Sequence, residues 1–302
     1  MHDTRTSAVT IGATAVSLTN ESDTPKVEAR KSRPRLEVTV RKVDETRDIA
    51  RSAFRNWTGI RDHLRRARRW AFFLDFDGTL VDLRPRPGDV RMPRAAKLIL
   101  RRLAAHANTQ VVIVSGRMRR NVRELVAVSD LQYFGVHGGD REGHATKLGA
   151  KTKQALVAVK RAARRELKSL PGVWIQDKRL SIAIHYRDAA SREARKAGAT
   201  LADLLDPWKS SLHLLNGSRV WEILPKEIPG KFTAVDEVLG ANRSGTAVVY
   251  VGNDGTDEVA FAALPDAITV RVGHEPETRA RYFVRTPAEL LRLLARMERE
   301  LP

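Results

Sequence analysis

Short apolar runs that end in glycine, acidic or hydroxyl residues recur along the chain and set its secondary structure. Residues 71–74 (AFFL), 111–114 (VVIV) and 248–251 (VVYV) are too short for helices and suit strands buried in a parallel sheet. QYFGV, residues 132–136, reads as another strand, and helical periodicity follows from about Met118 and again after Lys231. Residues 173–187 and 212–225 are rich in β-branched residues and partly alternate, with a helical run near residues 189–205 between them. Upstream, Ile49, Phe54, Trp57, Ile60 and Leu64 recur at near-helical spacing across residues 46–70, amid many arginines. Before about Pro34 no apolar period is sustained, and Thr, Ser, Asp, Pro and Arg dominate, which predicts disorder. The pattern as a whole predicts an α/β chain.

The first apolar run opens into AFFLDFDGTL, residues 71–80, which aims Asp75 and Asp77 out of a strand end into a turn at Gly78. Ligands of open α/β sheets gather at the carboxyl ends of strands. A carboxylate there can attack phosphorus, and a second one two residues on can protonate the leaving oxygen, which assigns Asp75 as nucleophile and Asp77 as acid/base. The Asp77 backbone carbonyl then points at a metal. Mg²⁺ suits such a site because it takes one or two carboxylates plus phosphate oxygens and keeps several waters. The same pair also suits plain strand-end or turn acids.

DFDGTL resembles the first motif of the haloacid dehalogenase superfamily of phosphatases, and further motifs follow in that family's order. VVIVSGR ends in Ser115 and Gly116, a candidate phosphate-binding pair, although Ser115 also suits an ordinary helix N-cap. Lys231, after Pro229 and Gly230, matches the family's phosphate-neutralising lysine. VVYVGNDGTDEVAF, residues 248–261, resembles the fourth motif, which supplies the remaining metal carboxylate and its supporting acid. The resemblance implies Mg²⁺ among Asp75, Asp77, Asn253 and Asp254, with Asp257 behind them. Here the chain departs from the pattern: Asn253 stands where the principal metal carboxylate is expected. An asparagine oxygen can ligate a hard cation but brings no charge, so the expectation is an active site with altered metal dependence.

The resemblance also implies a Rossmann-like core with an inserted α/β cap between the second and third motifs. The expected division is a disordered basic tail (residues 1–45), an arginine-rich helical lead-in (46–69), a phosphatase core (70–139 and 226–302) and a cap (140–225). The cap segments, with LSIAIHYR after Asp177 and Lys178 and with WEILP before a glycine–lysine, are similar to trehalose-6-phosphate phosphatases. The family's sugar-binding positions fall on Lys178, His185, Arg187, Asn216, Arg219 and Glu222. Gln176 replaces an expected acid. His137, Gly138 and Gly139 fit a family loop near the hinge and equally fit a plain turn. The implied reaction is hydrolysis of trehalose 6-phosphate to trehalose and phosphate through an aspartyl-phosphate. Sucrose or mannosylglycerate phosphate is the alternative substrate, and a catalytically weakened sugar-phosphate binding or regulatory protein is the alternative role.

Composition changes this picture little. A chain of 302 residues with 42% hydrophobic content accommodates a core, a cap and a tail. It has no cysteine, which excludes disulfides and thiolate metal sites and makes a reducing cytoplasm the natural setting. No run reaches the roughly 18 apolar residues of a membrane span. The net charge of +18 is spread along the chain, with +7 in residues 1–70. Clusters such as Arg65, Arg66, Arg68 and Arg69 lack interleaved aromatic residues, so the field is assigned to attracting anionic sugar phosphates rather than nucleic acid, with an unidentified contact left open for the basic tail.

Overall fold

The computed structural model describes residues 50–217, 219–273 and 277–302; the expected tail of residues 1–45 lies outside them. The elements in chain order are β1 (Arg51–Ser52), α1 (Trp57–Arg66), β2 (Arg69–Leu74), α2 (Arg94–Ala105), β3 (Thr109–Val114), α3 (Arg119–Val126) and β4 (Gln132–Phe134). Next come β5 (Asp140–Arg141), β6 (His144–Ala145), α4 (Ala150–Glu166), β7 (Trp174–Asp177), β8 (Ile182–His185), α5 (Ser191–Leu205), β9 (Leu212–Gly217) and β10 (Val220–Pro225). The chain closes with α6 (Thr233–Leu239), β11 (Thr246–Gly252), α7 (Gly255–Ala263), β12 (Ile268–Val272), β13 (Tyr282–Val284) and α8 (Pro287–Glu298).

Seven strands form one parallel sheet in the order β1-β13-β12-β11-β2-β3-β4. The continuous apolar run of β2 is explained by burial on both faces. Phe72 and Leu74 pack into one cluster with α1, α2 and α8, while Ala71 and Phe73 join the opposite one with α6 and α7. From β2 the chain builds outward first through β3 and β4, then on the other side through β11, β12 and β13, which makes β2 the switch point of the sheet. The carboxyl ends of β2, β3 and β11 therefore meet, and each is followed by one of the phosphatase-like motifs.

Among the described residues, from 50 onward, the expected helical lead-in (46–69) begins later than its periodicity suggested. Arg51 and Ser52 pair with Tyr282 and Phe283 of β13 instead, and helix begins only at Trp57. Backbone bonds from Arg51 N–H to the Arg281 carbonyl and from Ala53 N–H to the Phe283 carbonyl, both 3.0 Å, hold this edge, a non-local pairing that no local period reports. Trp57, Ile60 and Leu64 are buried as their spacing predicts.

A second sheet, antiparallel and ordered β7-β8-β10-β9, is covered on one face by α4 and α5. Ile182, Ile184 and Ile223 face the helices, while Ala183, His185, Val220 and Glu222 occupy the alternate positions that open to the other face. The helix α4, which the sequence analysis did not single out, buries Thr152, Ala155, Leu156, Val159 and Ala163 at helical spacing among lysines and arginines. The chain leaves and re-enters the large sheet along adjacent segments: a Cβ on Gly138 would lie 2.7 Å from the Gly230 carbonyl oxygen. Among the described residues no helix is long and apolar enough to cross a membrane.

Candidate active site

Asp75 is still held to the sheet, its N–H donating to the Val251 carbonyl at 2.9 Å, so the carboxylate emerges on a rigid strand end. Gly78, with φ of 81°, turns the chain back, and its N–H donates to the Val81 carbonyl at 2.8 Å. A Cβ here would also collide with the side chain of Asn253. The buried Asp75 carboxylate accepts from Lys231 Nζ at 2.8 Å on one oxygen and from Thr79 Oγ1 at 2.9 Å on the other. Burial raises Asp75 to about 6, with Lys231 opposing and Asp254 adding to the rise.

Lys231 is fully surrounded. Its Nζ also donates to Asp257 Oδ1 at 3.0 Å and lies 3.6 Å from Asp254 Oδ1. Burial alone would lower the ammonium's pKa, but Asp254, Asp257 and Asp75 hold it well above the ordinary lysine value. Asp254 Oδ1 caps α7 through the backbone N–H groups of Thr256 and Asp257. Asp257 completes the capping box: its Oδ2 accepts from Asn253 and Asp254 N–H, while its Oδ1 accepts from Lys231 and the Tyr250 hydroxyl. Burial pushes Asp257 up to about 8 against the pull of Lys231. Asp257 thus supports the loop and the lysine from behind.

Ser115 follows β3 and is buried; its Oγ accepts from Arg117 N–H at 3.2 Å. It is not the cap of α3, whose N-cap is Met118. Gly116 has no room for a side chain, since a Cβ would lie 2.8 Å from the His137 ring. Arg117, which the sequence reading left without a role, grips Asp77 with two bonds of 2.6 and 2.7 Å and also donates to the Pro87 carbonyl and Asn121 Oδ1. Its signal was its place directly after the serine–glycine pair.

A cavity of about 390 Å³ runs from these groups to the open face of the second sheet, and its lining includes Gln176, Lys178, His185, Arg187, Arg219 and Glu222. Asn216 does not line it. In register it faces Trp221, one position away from Glu222, and alternation puts it on the other side of the strand. His185 stacks on Trp174 at 3.8 Å and bonds Gln176, and burial, then Lys178, lower it to about 4. Glu222 accepts from Ser181, Lys178 and His137 at 2.6, 2.9 and 3.0 Å. Burial would raise its pKa, but Lys178 and His137 hold it far below the usual carboxylate range.

The metal fit is uneven. The oxygens of Asp75, Asp254 and the Asp77 carbonyl are hard donors of the kind Mg²⁺ prefers. The Asn253 side chain, oriented by its neighbours, places its amide nitrogen 3.0 Å from the Asp77 carbonyl, 3.2 Å from Asp75 Oδ2 and 3.3 Å from Thr79 Oγ1. The site thus has the right donors and one charge too few, and among the described residues no three His, Asp or Glu side chains gather as ligands.

Residues 73–287 match the trehalose-phosphatase family model. The chain belongs to the trehalose-phosphatase family. It is 30% identical over 247 residues to a probable trehalose-phosphate phosphatase 4 of Oryza sativa subsp. japonica, covering 77% of this chain and 66% of that relative. It is 29% identical over 245 residues to the trehalose-phosphate phosphatase of Mycobacterium ulcerans, covering 76% and 62%. The chain therefore spans about two thirds of the length of these curated relatives. In fold it is similar to the C-terminal domain of the C. albicans trehalose-6-phosphate phosphatase, with a TM-score of 0.71 at 17% identity over 84% of this chain and 99% of that one. A haloacid dehalogenase-like hydrolase from Bacteroides thetaiotaomicron shares the fold at a TM-score of 0.56, with 14% identity over 76% of this chain and all of that one. Asp75, Ser115, Lys231 and the 252–258 loop, all within the matched residues, are the groups gathered at the switch point.

Proposed function

We propose that the protein hydrolyses trehalose 6-phosphate to trehalose and phosphate. The observation that carries this reading is the meeting of Asp75, Asp77, Ser115 and Lys231 at one end of a cavity whose other end is lined by polar side chains of the second sheet. Asp75 attacks phosphorus, forming an aspartyl-phosphate as the bond to the sugar oxygen breaks. Asp77 gives its proton to that oxygen, which requires one of its two bonds to Arg117 to open, and later takes a proton from the attacking water. Lys231 balances charge at Asp75, and the Ser115 hydroxyl donates to a phosphoryl oxygen. Mg²⁺, when held by Asp75, the Asp77 carbonyl, Asp254 and a turned Asn253 oxygen, would offset phosphoryl charge. The division into core and cap, residues 140–225 forming the cap, belongs to the same reading and is supported by the separate apolar cluster under the second sheet. Lys178, His185, Arg187, Arg219 and Glu222 are then the groups that select the sugar.

The test is phosphate release in Mg²⁺ from trehalose 6-phosphate, sucrose 6-phosphate and mannosylglycerate phosphate, with Asp75→Asn as control. Preference for the first, lost by on the order of 10³-fold or more in the control, is the expected result. Preference for another sugar phosphate overturns the substrate assignment. Asn253 favours one second reading, a weakened sugar-phosphate binding protein, which full binding without turnover at high Mg²⁺ and Mn²⁺ would establish.

A further inference from the structure

Two consecutive non-glycine residues, Val136 and His137, have φ of 45° and 53°. Such conformations are strained for residues with a side chain and persist where the surroundings over-determine them. The surroundings here are the phosphate-binding loop and the cap. Val136 N–H donates to the Arg117 carbonyl at 2.8 Å, and His137 N–H to the Ser115 carbonyl at 3.0 Å. The His137 ring covers Gly116, and its Nε2 donates to Glu222 Oε2 on β10 at 3.0 Å. Among the described residues its buried Nδ1 has no hydrogen-bond partner, so the ring's polar bond there is the one to Glu222.

The contacts then return to their starting point. Glu222 holds Lys178, whose Nζ donates to the Gly116 carbonyl at 2.9 Å. His137, Lys178 and Glu222 are each at least nine-tenths buried. The Gly116 carbonyl and the Arg117 N–H belong to one planar peptide unit, and that N–H is the group bonded to Ser115 Oγ. The cap ammonium therefore acts on the same rigid plane that orients the serine hydroxyl.

We infer that His137 is a positioning residue that fastens Glu222 and Lys178 of the cap to the phosphate loop, so that cap closure on the sugar sets the orientation of Ser115. The inference rests on the phosphatase reading above and adds to it a coupling between the sugar end and the phosphate end of one cavity.

Two substitutions separate positioning from mere support. Glutamine can place its amide near the Nε2 position and keep the bond to Glu222, whereas asparagine is too short for that bond but tolerates positive φ better. A purely structural role ranks His137→Asn at or above His137→Gln. The positioning role predicts the reverse: His137→Asn loses about tenfold in kcat on trehalose 6-phosphate with KM changed less than about threefold, and His137→Gln recovers most of the loss. Lys178→Met should lose a similar factor, and the double variant His137→Asn with Lys178→Met should lose little more than either alone. Equal losses in the Asn and Gln variants, or additive losses in the double variant, overturn the inference. A binding experiment reads the coupling without turnover. Trehalose should tighten inorganic phosphate binding by about tenfold in the wild type and not in His137→Asn, by calorimetry on the full chain. Equal phosphate affinity with and without trehalose in the wild type overturns the coupling. Failure of the phosphatase reading would show separately, as absence of any preference for trehalose 6-phosphate.

Discussion

At the scale of single residues, Asn253 stands where the sequence resemblance implied a metal carboxylate, and the structure shows what its side chain meets there. Its amide nitrogen faces the Asp77 carbonyl and Asp75 Oδ2, oxygens that a bridging cation would otherwise draw together. Asn253→Asp replaces a hydrogen-bond donor by a charge among hard oxygen donors. Affinity for Mg²⁺ should rise by about tenfold or more, seen as a larger Mg²⁺-dependent rise in melting temperature and as tighter Mn²⁺ binding by electron paramagnetic resonance. Equal metal affinity in the two proteins would refute this account. The meeting of Asp75, Ser115 and Lys231 was legible because each follows an apolar strand or a proline–glycine pair. The Arg117 grip on Asp77 was not, because nothing local says which acid an arginine forty positions away will meet.

At the scale of elements, alternation decided which residues of the second sheet reach the cavity. Glu222 and Asn216 were equally plausible in the sequence, and only the register of β9 against β10 separates them by one position and hence by one face. The segment that connects the two sheets is equally constrained. Gly138 has φ of 95°, and a Cβ there would press on the Gly230 carbonyl, one residue before Lys231. Gly138→Ala should cost about 1–3 kcal/mol in urea unfolding, from strain at positive φ and from that contact. A loss below about 0.5 kcal/mol would mean that the two connecting segments can part freely. The glycine pair after His137 read in the sequence as either a turn or a family loop; the structure shows a tight turn with the His137 ring over Gly116.

At the scale of the whole molecule, His185 lies in a cavity that buries it among Lys178, Arg187 and Arg117, with Glu222 as the opposing charge. Burial first, and those cations second, keep it neutral. Its folded value of about 4 lies below the ordinary histidine value of 6.5, so between those limits the unfolded chain binds the extra proton and stability falls as pH falls. Asp75 and Asp257 act in the opposite direction, because their folded values lie above the ordinary carboxylate range. The decisive quantity is therefore the difference between two proteins: from near neutrality to about pH 4.5, His185→Gln should lose less stability than the wild type, by urea denaturation. Identical slopes would place the acid sensitivity elsewhere. The sequence by itself determined the parallel sheet, because continuous apolar strands of β2 and β11 cannot be satisfied except by burial on both faces, and it determined where Asp75, Asp77 and Asp254 lie, because their placement follows from where those strands stop. Only the tertiary structure decided how the second sheet meets the first, the pairing of β1 with β13, and the partners of Arg117, His137 and Glu222. Those depend on contacts between residues far apart in sequence, whose register and facing no local period encodes.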